Sequence, residues 1–217
     1  YQKLSETYSA IEPPIWAALL ANHVRTKGHS TSILDCEAER LTLDESTQRI
    51  LQHDPKLIAL VIYGQQPSAS TQNMYGASLL CKKLKEENPD CKIVLIGLHP
   101  SAVSRETLQS EVADFVCQGE GLYTVTGLLS IDMNKTSELK KVPGLWYRDR
   151  GFIKCTKPAP IVPQQELDVE LPGMAWDLLP MDRYRTSNWH AMSNNNDRTP
   201  FASLYTSLGC PFQCSFC

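Results

Sequence analysis

Three cysteines lie close together in the last residues of this sequence: Cys210, Cys214 and Cys217, in the run GCPFQCSFC. The spacing is C-x3-C-x2-C. Three thiolates can hold three irons of a four-iron cluster and leave the fourth iron without a protein ligand. An open metal position is where a small molecule binds and reacts, so this spacing points to chemistry rather than to a structural clamp. Zinc is the competing reading of the same thiolates. It would need a fourth ligand, from His190 or from residues outside this sequence. A disulfide needs an oxidising compartment, and nothing in the sequence indicates secretion.

The rest of the chain must position those thiolates. With 217 residues, one or two domains are expected, and 42% hydrophobic content is enough for a buried core. A formal net charge of −3 offers no basic face for nucleic acid. No apolar run reaches the roughly 18 residues of a membrane span. Eight irregularly spaced cysteines do not form a disulfide scaffold. Cys36, Cys81, Cys91 and Cys117 sit in or beside apolar runs and read as buried free thiols. A reducing cytoplasm suits both the thiols and an oxygen-sensitive cluster.

The first two-thirds alternate helix and strand signals. The periodicity predicts a helix over 16–27, opened by Pro13-Pro14 and closed by Gly28. A short strand follows at 30–34, then a helix over 43–53 with Leu43, Thr47, Ile50 and Leu51 inward. KLIALVIY, residues 56–63, reads as a strand buried on both faces of a parallel sheet. Further elements are a helix over 70–88, a strand over 92–96, a helix over 101–110, a strand over 114–117 and a helix over 121–130. This alternation predicts an α/β fold, a flavodoxin-like doubly wound parallel sheet. Such a unit begins with an apolar strand before its first helix. The expectation is therefore that a first strand is missing before Tyr1, and that the chain continues beyond Cys217.

Residues 1–131 form the expected ligand-binding domain and 132–200 a hairpin and extended linker. Residues 201–217 read as the start of a further, truncated (β/α) barrel domain. VPGLWYR, a turn at Asp149-Arg150-Gly151 and FIKC read as a β-hairpin. Residues 158–180 are proline-rich with short turns, and FASLYTS, 201–207, is an apolar strand leading into Cys210. Trp146, Trp176 and Trp189 read as packing residues, the 82–87 run of lysines and glutamates as a solvated helix face, and Arg183 and Arg185 as surface contacts.

In open α/β sheets, ligands lie beyond the carboxyl ends of the strands. Three loops there carry small and polar residues: Tyr63-Gly64-Gln65-Gln66-Pro67-Ser68-Ala69-Ser70, then Gly97-Leu98-His99-Pro100-Ser101, then Gln118-Gly119-Glu120-Gly121. Small residues let backbone approach a large flat ligand. Helix starts at Ser70, Ser101 and Gly121 offer free N–H groups. Each loop alone also reads as an ordinary turn, with serine and glycine as caps and breakers. A GxGxxG phosphate loop is absent, which disfavours a dinucleotide cofactor.

Taken in order, PPIWAALLANHVRTKGHSTSILD, DPKLIALVIYG, KKLKEENPD, KIVLIGLHPSA and DFVCQGEG resemble the cobalamin-binding domain of cobalamin-dependent radical S-adenosylmethionine enzymes. VPGLWYRDRGFI and LPGMAWDLLPMDRY resemble that family's linker. TSLGCPFQCSFC resembles its cluster loop, with Phe216 as the aromatic between the last two cysteines. The resemblance implies cobalamin across the strand ends, touching Tyr63, Gly64, Gln65, Gln66, Ser68, Ser70, Gly97, Leu98, His99, Ser101, Gly119, Glu120 and Gly121. It implies a 4Fe-4S cluster on Cys210, Cys214 and Cys217, with S-adenosylmethionine at the open iron. The D-x-H-x-x-G motif of many cobalamin domains is not found here, though its loop could precede Tyr1; the resemblance leaves a residue of the Gln65-Gln66 region to approach the cobalt instead, directly or through water. The implied reaction is methyl transfer from methylcobalamin to an unactivated carbon of a small-molecule substrate, with electrons from a flavodoxin or ferredoxin. Catalytic residues would lie beyond Cys217. Two other readings stay open: different radical chemistry on the same scaffold, such as cyclisation, rearrangement or methylthiolation, and a non-catalytic corrinoid module with a zinc-binding tail.

Overall fold

The computed structural model describes residues 9–64, 67–186, 198–206, 208, 209, 212 and 215. Its elements in chain order are α1 (Ile15–Thr26), α2 (Leu43–Gln52), β1 (Ile58–Ile62), α3 (Pro67–Glu87), β2 (Ile93–Gly97), α4 (Leu98–Ala102), α5 (Ser104–Ser110), β3 (Phe115–Cys117), α6 (Leu122–Leu129), α7 (Thr136–Leu139), β4 (Leu145–Asp149), β5 (Phe152–Cys155) and α8 (Leu167–Glu170). Short 3-10 turns follow at Trp176–Leu178 and Met181–Arg183.

One five-stranded sheet, in the order β1-β2-β3-β4-β5, organises the chain. β1, β2 and β3 are parallel, with Ile62 opposite Gly97 and Leu95 opposite Val116. β4 runs antiparallel to β3, placing Tyr147 against Phe115, and β5 closes the hairpin. The hairpin signalled by Asp149-Arg150-Gly151 therefore continues the same sheet.

Side chains on a strand alternate between faces, and that alternation builds two cores here. Val94, Ile96, Phe115, Cys117, Leu145 and Tyr147 point to one side, under α1 and α6. Ile58, Ile62, Ile93, Leu95 and Val116 point to the other, under α2, α3 and α5. Helices on both faces of a mainly parallel sheet are the doubly wound arrangement expected from the alternating signals. All of β2 is buried, as its central place requires. Truncating Leu95 to alanine costs about 2–5 kcal/mol.

Several expectations fail for non-local reasons. Residues 30–34 form no strand, because no strand among the described residues stands between them and β1 to share a ladder. Among the described residues β1 is the edge of the sheet, and Ala59 is exposed rather than buried on both faces. Leu43 is 39% exposed and Ser46 is buried in its place, beside Thr47, which faces inward as expected. The helix expected over 101–110 is broken at Val103 (φ −126°, ψ 51°) into α4 and α5. Residues 201–206 are not a strand; they too lack a ladder partner among the described residues. Lys85 leaves the solvated face and pairs with Asp114 at 2.8 Å and the Cys91 carbonyl at 2.6 Å. No helix among the described residues is long and apolar enough to cross a membrane.

Candidate functional site at the strand carboxyl ends

The parallel register brings the ends of β1, β2 and β3 level, so the loops after them share one rim. Two hydroxyls tie those loops together. Ser70, fully buried, donates to the Ile62 carbonyl at 2.5 Å and accepts the His99 amide at 3.0 Å. Ser101 accepts the Gly119 amide at 2.8 Å. Neither serine starts a helix, because α3 opens at Pro67 and α4 at Leu98. Their hydroxyls are committed within the protein, so the expected free helix ends at Ser70 and Ser101 are not there. Gly121 does cap α6, in a left-handed conformation (φ 96°).

The glycines divide into two groups. A Cβ on Gly97 would stand 2.1 Å from the Ile62 carbonyl oxygen, and one on Gly64 would stand 2.3 Å from the Ala69 Cβ. These two are glycine because the chain itself passes too close, not to admit a ligand. Gly119 (φ 103°) has nothing within 4 Å of the same position and faces open space. That is the kind of place where backbone can touch a ligand.

The wall beside this opening is aromatic. Tyr63 stacks on Trp16 with ring centroids 5.6 Å apart, and Trp16 Nε1 donates to the Glu120 carbonyl at 2.8 Å. Trp16 of α1 thus braces the first and third loops from below. Asn73 donates to the Tyr63 carbonyl at 2.8 Å, holding the end of β1. Burial pushes the Tyr63 phenol well above its ordinary range, with Cys117, Glu120 and Tyr205 adding to the effect. Burial also raises the Glu120 carboxyl, against the opposing pull of the Val162 amide. Leu98 is 39% exposed on the rim. His99 is oriented by a 3.0 Å contact between its Nδ1 and Thr71 Oγ1. Ser68 is exposed at the start of α3.

Of the residues singled out from the sequence, Tyr63, Gly64, Ser68, Ser70, Gly97, Leu98, His99, Ser101, Gly119, Glu120 and Gly121 gather at this rim. Gln65 and Gln66 lie outside the described residues, as do Cys210, Cys214, Cys217, His190 and Trp189. Sequence reasoning missed Trp16, Thr71 and Asn73. Trp16 had a readable signal: with Leu19, Leu20, His23 and Val24 it completes an i, i+3, i+4, i+7, i+8 stripe. An aromatic at the first turn of that stripe must meet the loops at the strand ends.

The rim combines an open backbone patch, an apolar shoulder and two protonatable groups of raised pKa. Such a surface suits a broad, rigid ligand with polar groups on its edge.

Comparison with known proteins agrees with this geometry. An uncharacterized methyltransferase of Pyrococcus horikoshii is 34% identical over 206 residues, which is 94% of this chain and 40% of that protein. An anaerobic magnesium-protoporphyrin IX monomethyl ester cyclase of Rubrivivax gelatinosus is 27% identical, over 94% of this chain and 34% of that protein. The chain thus spans well under half the length of either relative. Among solved structures, the cobalamin-dependent S-adenosylmethionine radical enzyme OxsB, with aqua-cobalamin and S-adenosylmethionine bound, shares the fold: TM-score 0.55 at 18% identity, over 81% of this chain and 23% of that one. The family model for the B12 binding domain matches residues 2–129, which include all three rim loops. The chain belongs to the B12-binding domain family.

Proposed function

We propose that the rim holds cobalamin and that the whole protein is a radical S-adenosylmethionine enzyme acting on a small-molecule substrate by methyl transfer. One observation carries this reading: the B12-binding match over 2–129 coincides with the three tied loops, and a C-x3-C-x2-C run follows it in the same chain. The rim residues fit the corrinoid. Gly119 offers backbone without a side chain in the way, Leu98 offers apolar contact, and Tyr63, Glu120 and His99 offer hydrogen bonds to edge amides. Ser70 and Ser101 keep the loops fixed, so little ordering is left to binding. Cys210, Cys214 and Cys217 are the residues that would hold a 4Fe-4S cluster, with S-adenosylmethionine on it.

When bound, these groups supply a methyl carrier and a radical source. The protein's share is placement and exclusion of water. A reduced flavodoxin or ferredoxin in the cytoplasm would provide electrons.

Anaerobic reconstitution of the full-length protein with hydroxocobalamin, iron and sulfide tests the proposal. Corrinoid absorbance and about one cobalt and four irons per chain are expected. Turnover should then form S-adenosylhomocysteine together with 5′-deoxyadenosine. A colourless protein, or one zinc in place of iron, would overturn it. The resemblance to the magnesium-protoporphyrin cyclase favours a second reading, ring closure. In that case 5′-deoxyadenosine accumulates without S-adenosylhomocysteine.

A further inference from the structure

His23 occupies the fourth position of the buried stripe on α1 and has no exposed surface. Its Nδ1 lies 2.8 Å from the Glu170 carbonyl oxygen, so this nitrogen carries the proton. Nε2 is buried and meets no hydrogen-bond partner among the described residues. Tyr123 of α6 closes the pocket edge-on, its ring centroid 6.3 Å away. The Glu170 carboxylate comes within 3.2 Å of Nδ1, but its other oxygen is held by Lys27 at 2.9 Å.

This setting suits a neutral imidazole and not a cation. A second ring proton, on Nε2, would create a buried N–H without an acceptor, because the nearest carboxylate oxygen, Glu170 Oε2, lies on the Nδ1 side of the ring. The Glu170 contact has the geometry of an ion pair, yet burial outweighs it and lowers the His23 pKa below its ordinary value of 6.5. Lys27 adds repulsion from α1; Glu166 and Glu120 act on the neighbouring Tyr123.

The contact also fastens a strap. Residues 164–178 run back along α1 after the hairpin. Asn22 donates to the Gly173 carbonyl at 2.9 Å, Arg25 pairs with Asp177 at 2.8 Å, and the Ala175 amide donates to the Ala18 carbonyl at 3.1 Å. Leu167, Leu171 and Met174 pack on the core beneath. In sequence the strap stands between β5 and Cys210, so it tethers the rim-bearing sheet to the cysteines.

We propose that His23 is a proton-sensitive latch for this strap, closed on a neutral imidazole and released when the ring takes a second proton. The sign follows from linkage. The released state has an ordinary histidine and binds more protons below about pH 6.5, whereas the closed state stays neutral. Closure is therefore fully present above that pH and weakens as pH falls. Between pH 7.5 and 5.5 the opening constant should rise severalfold, by at most about tenfold, the limit set by an ordinary released histidine.

Amide hydrogen exchange in the full-length protein, corrected for intrinsic rates, reads this directly. The 164–178 amides should lose protection severalfold, at most about tenfold, at pH 5.5, while β2 and β3 keep theirs. His23→Asn places a donor near Nδ1 that cannot ionise, and its strap protection should not change with pH. Glu170→Gln should remain acid-sensitive. An unchanged wild type, an equally acid-sensitive His23→Asn, or a Glu170→Gln that abolishes the response would each overturn the proposal. So would imidazole nitrogen shifts in the wild-type protein showing two ring protons on His23 at pH 7.

Discussion

The amide of His99 donates to the hydroxyl of Ser70 across 29 positions of sequence, at 3.0 Å. The same hydroxyl donates to Ile62, so one oxygen joins the end of β1, the start of α3 and the loop after β2. The rim is a single bonded unit and not three independent turns.

Replacing Ser70 with alanine should therefore do more than remove a small side chain. It leaves the His99 N–H and the Ile62 carbonyl without their partner in a buried place. A loss of about 1–3 kcal/mol is expected in urea denaturation of the cobalamin-free protein. Corrinoid affinity should fall as well, because the loops lose their fixed spacing. An unchanged denaturation midpoint would show that the loops are held by something else.

Gly97 and Gly119 should separate the needs of the fold from those of the ligand. Gly97→Ala drives a methyl against the Ile62 carbonyl, backbone that the paired strand β1 holds in place. A destabilisation of about 4 kcal/mol or more is expected, enough to abolish soluble expression. Gly119→Ala meets open space and bears only the strain of its positive φ, roughly 1–2 kcal/mol. The folded Gly119→Ala protein should bind hydroxocobalamin at least tenfold more weakly in an absorbance titration. Equal affinity would take Gly119 out of the corrinoid contact.

The contrast between these glycines shows what was legible. β1, β2 and β3 could be read because each is a short apolar run between breakers, and such runs need no knowledge of their neighbours. The level of the three loops followed from the parallel order. What escaped depends on distant partners. Residues 30–34 look like a strand but have no ladder to join among the described residues. Ser70 and Ser101 read as helix caps from local order, and only the meeting of the loops turns them into ties. His23 sat on the apolar stripe throughout, and its burial could have been inferred; its partner Glu170, 147 positions away, could not.

Arg148 illustrates the same non-local dependence and gives a sharper test. From β4 its guanidinium reaches the carbonyl oxygens of Ala113, Leu108 and Glu111, closing the end of α5 against the hairpin. Leu108 lies in the last turn of α5 and Glu111 caps it, where a helix leaves carbonyls without internal partners, and Ala113 follows just beyond. Arg148→Ala should destabilise the fold by about 1.5–3 kcal/mol in thermal or urea unfolding. Lysine should restore little of this, because an ammonium cannot reproduce the planar fork that serves several carbonyls at once. Full rescue by lysine would mean that charge alone matters here.

The thiols outside the cysteine-rich run should react in an order set by burial. Cys155 is exposed on β5, whereas Cys81 and Cys117 are fully buried. Burial pushes the Cys81 thiol up to about 12 and the Cys117 thiol up to about 11. The thiolate is the reacting species, so at pH 8 both buried groups are almost wholly protonated as well as shielded. Brief iodoacetamide treatment of the native protein, followed by peptide mass mapping, should label Cys155 and spare Cys81 and Cys117. Adding denaturant past the unfolding midpoint should label all three at similar rates. Because the raised values come mainly from desolvation, raising the pH to 9 in the folded state should still spare Cys81 and Cys117. Early labelling of Cys117, which lies at the end of β3 beneath Gly121, would mean that the third rim loop opens readily in the absence of cobalamin.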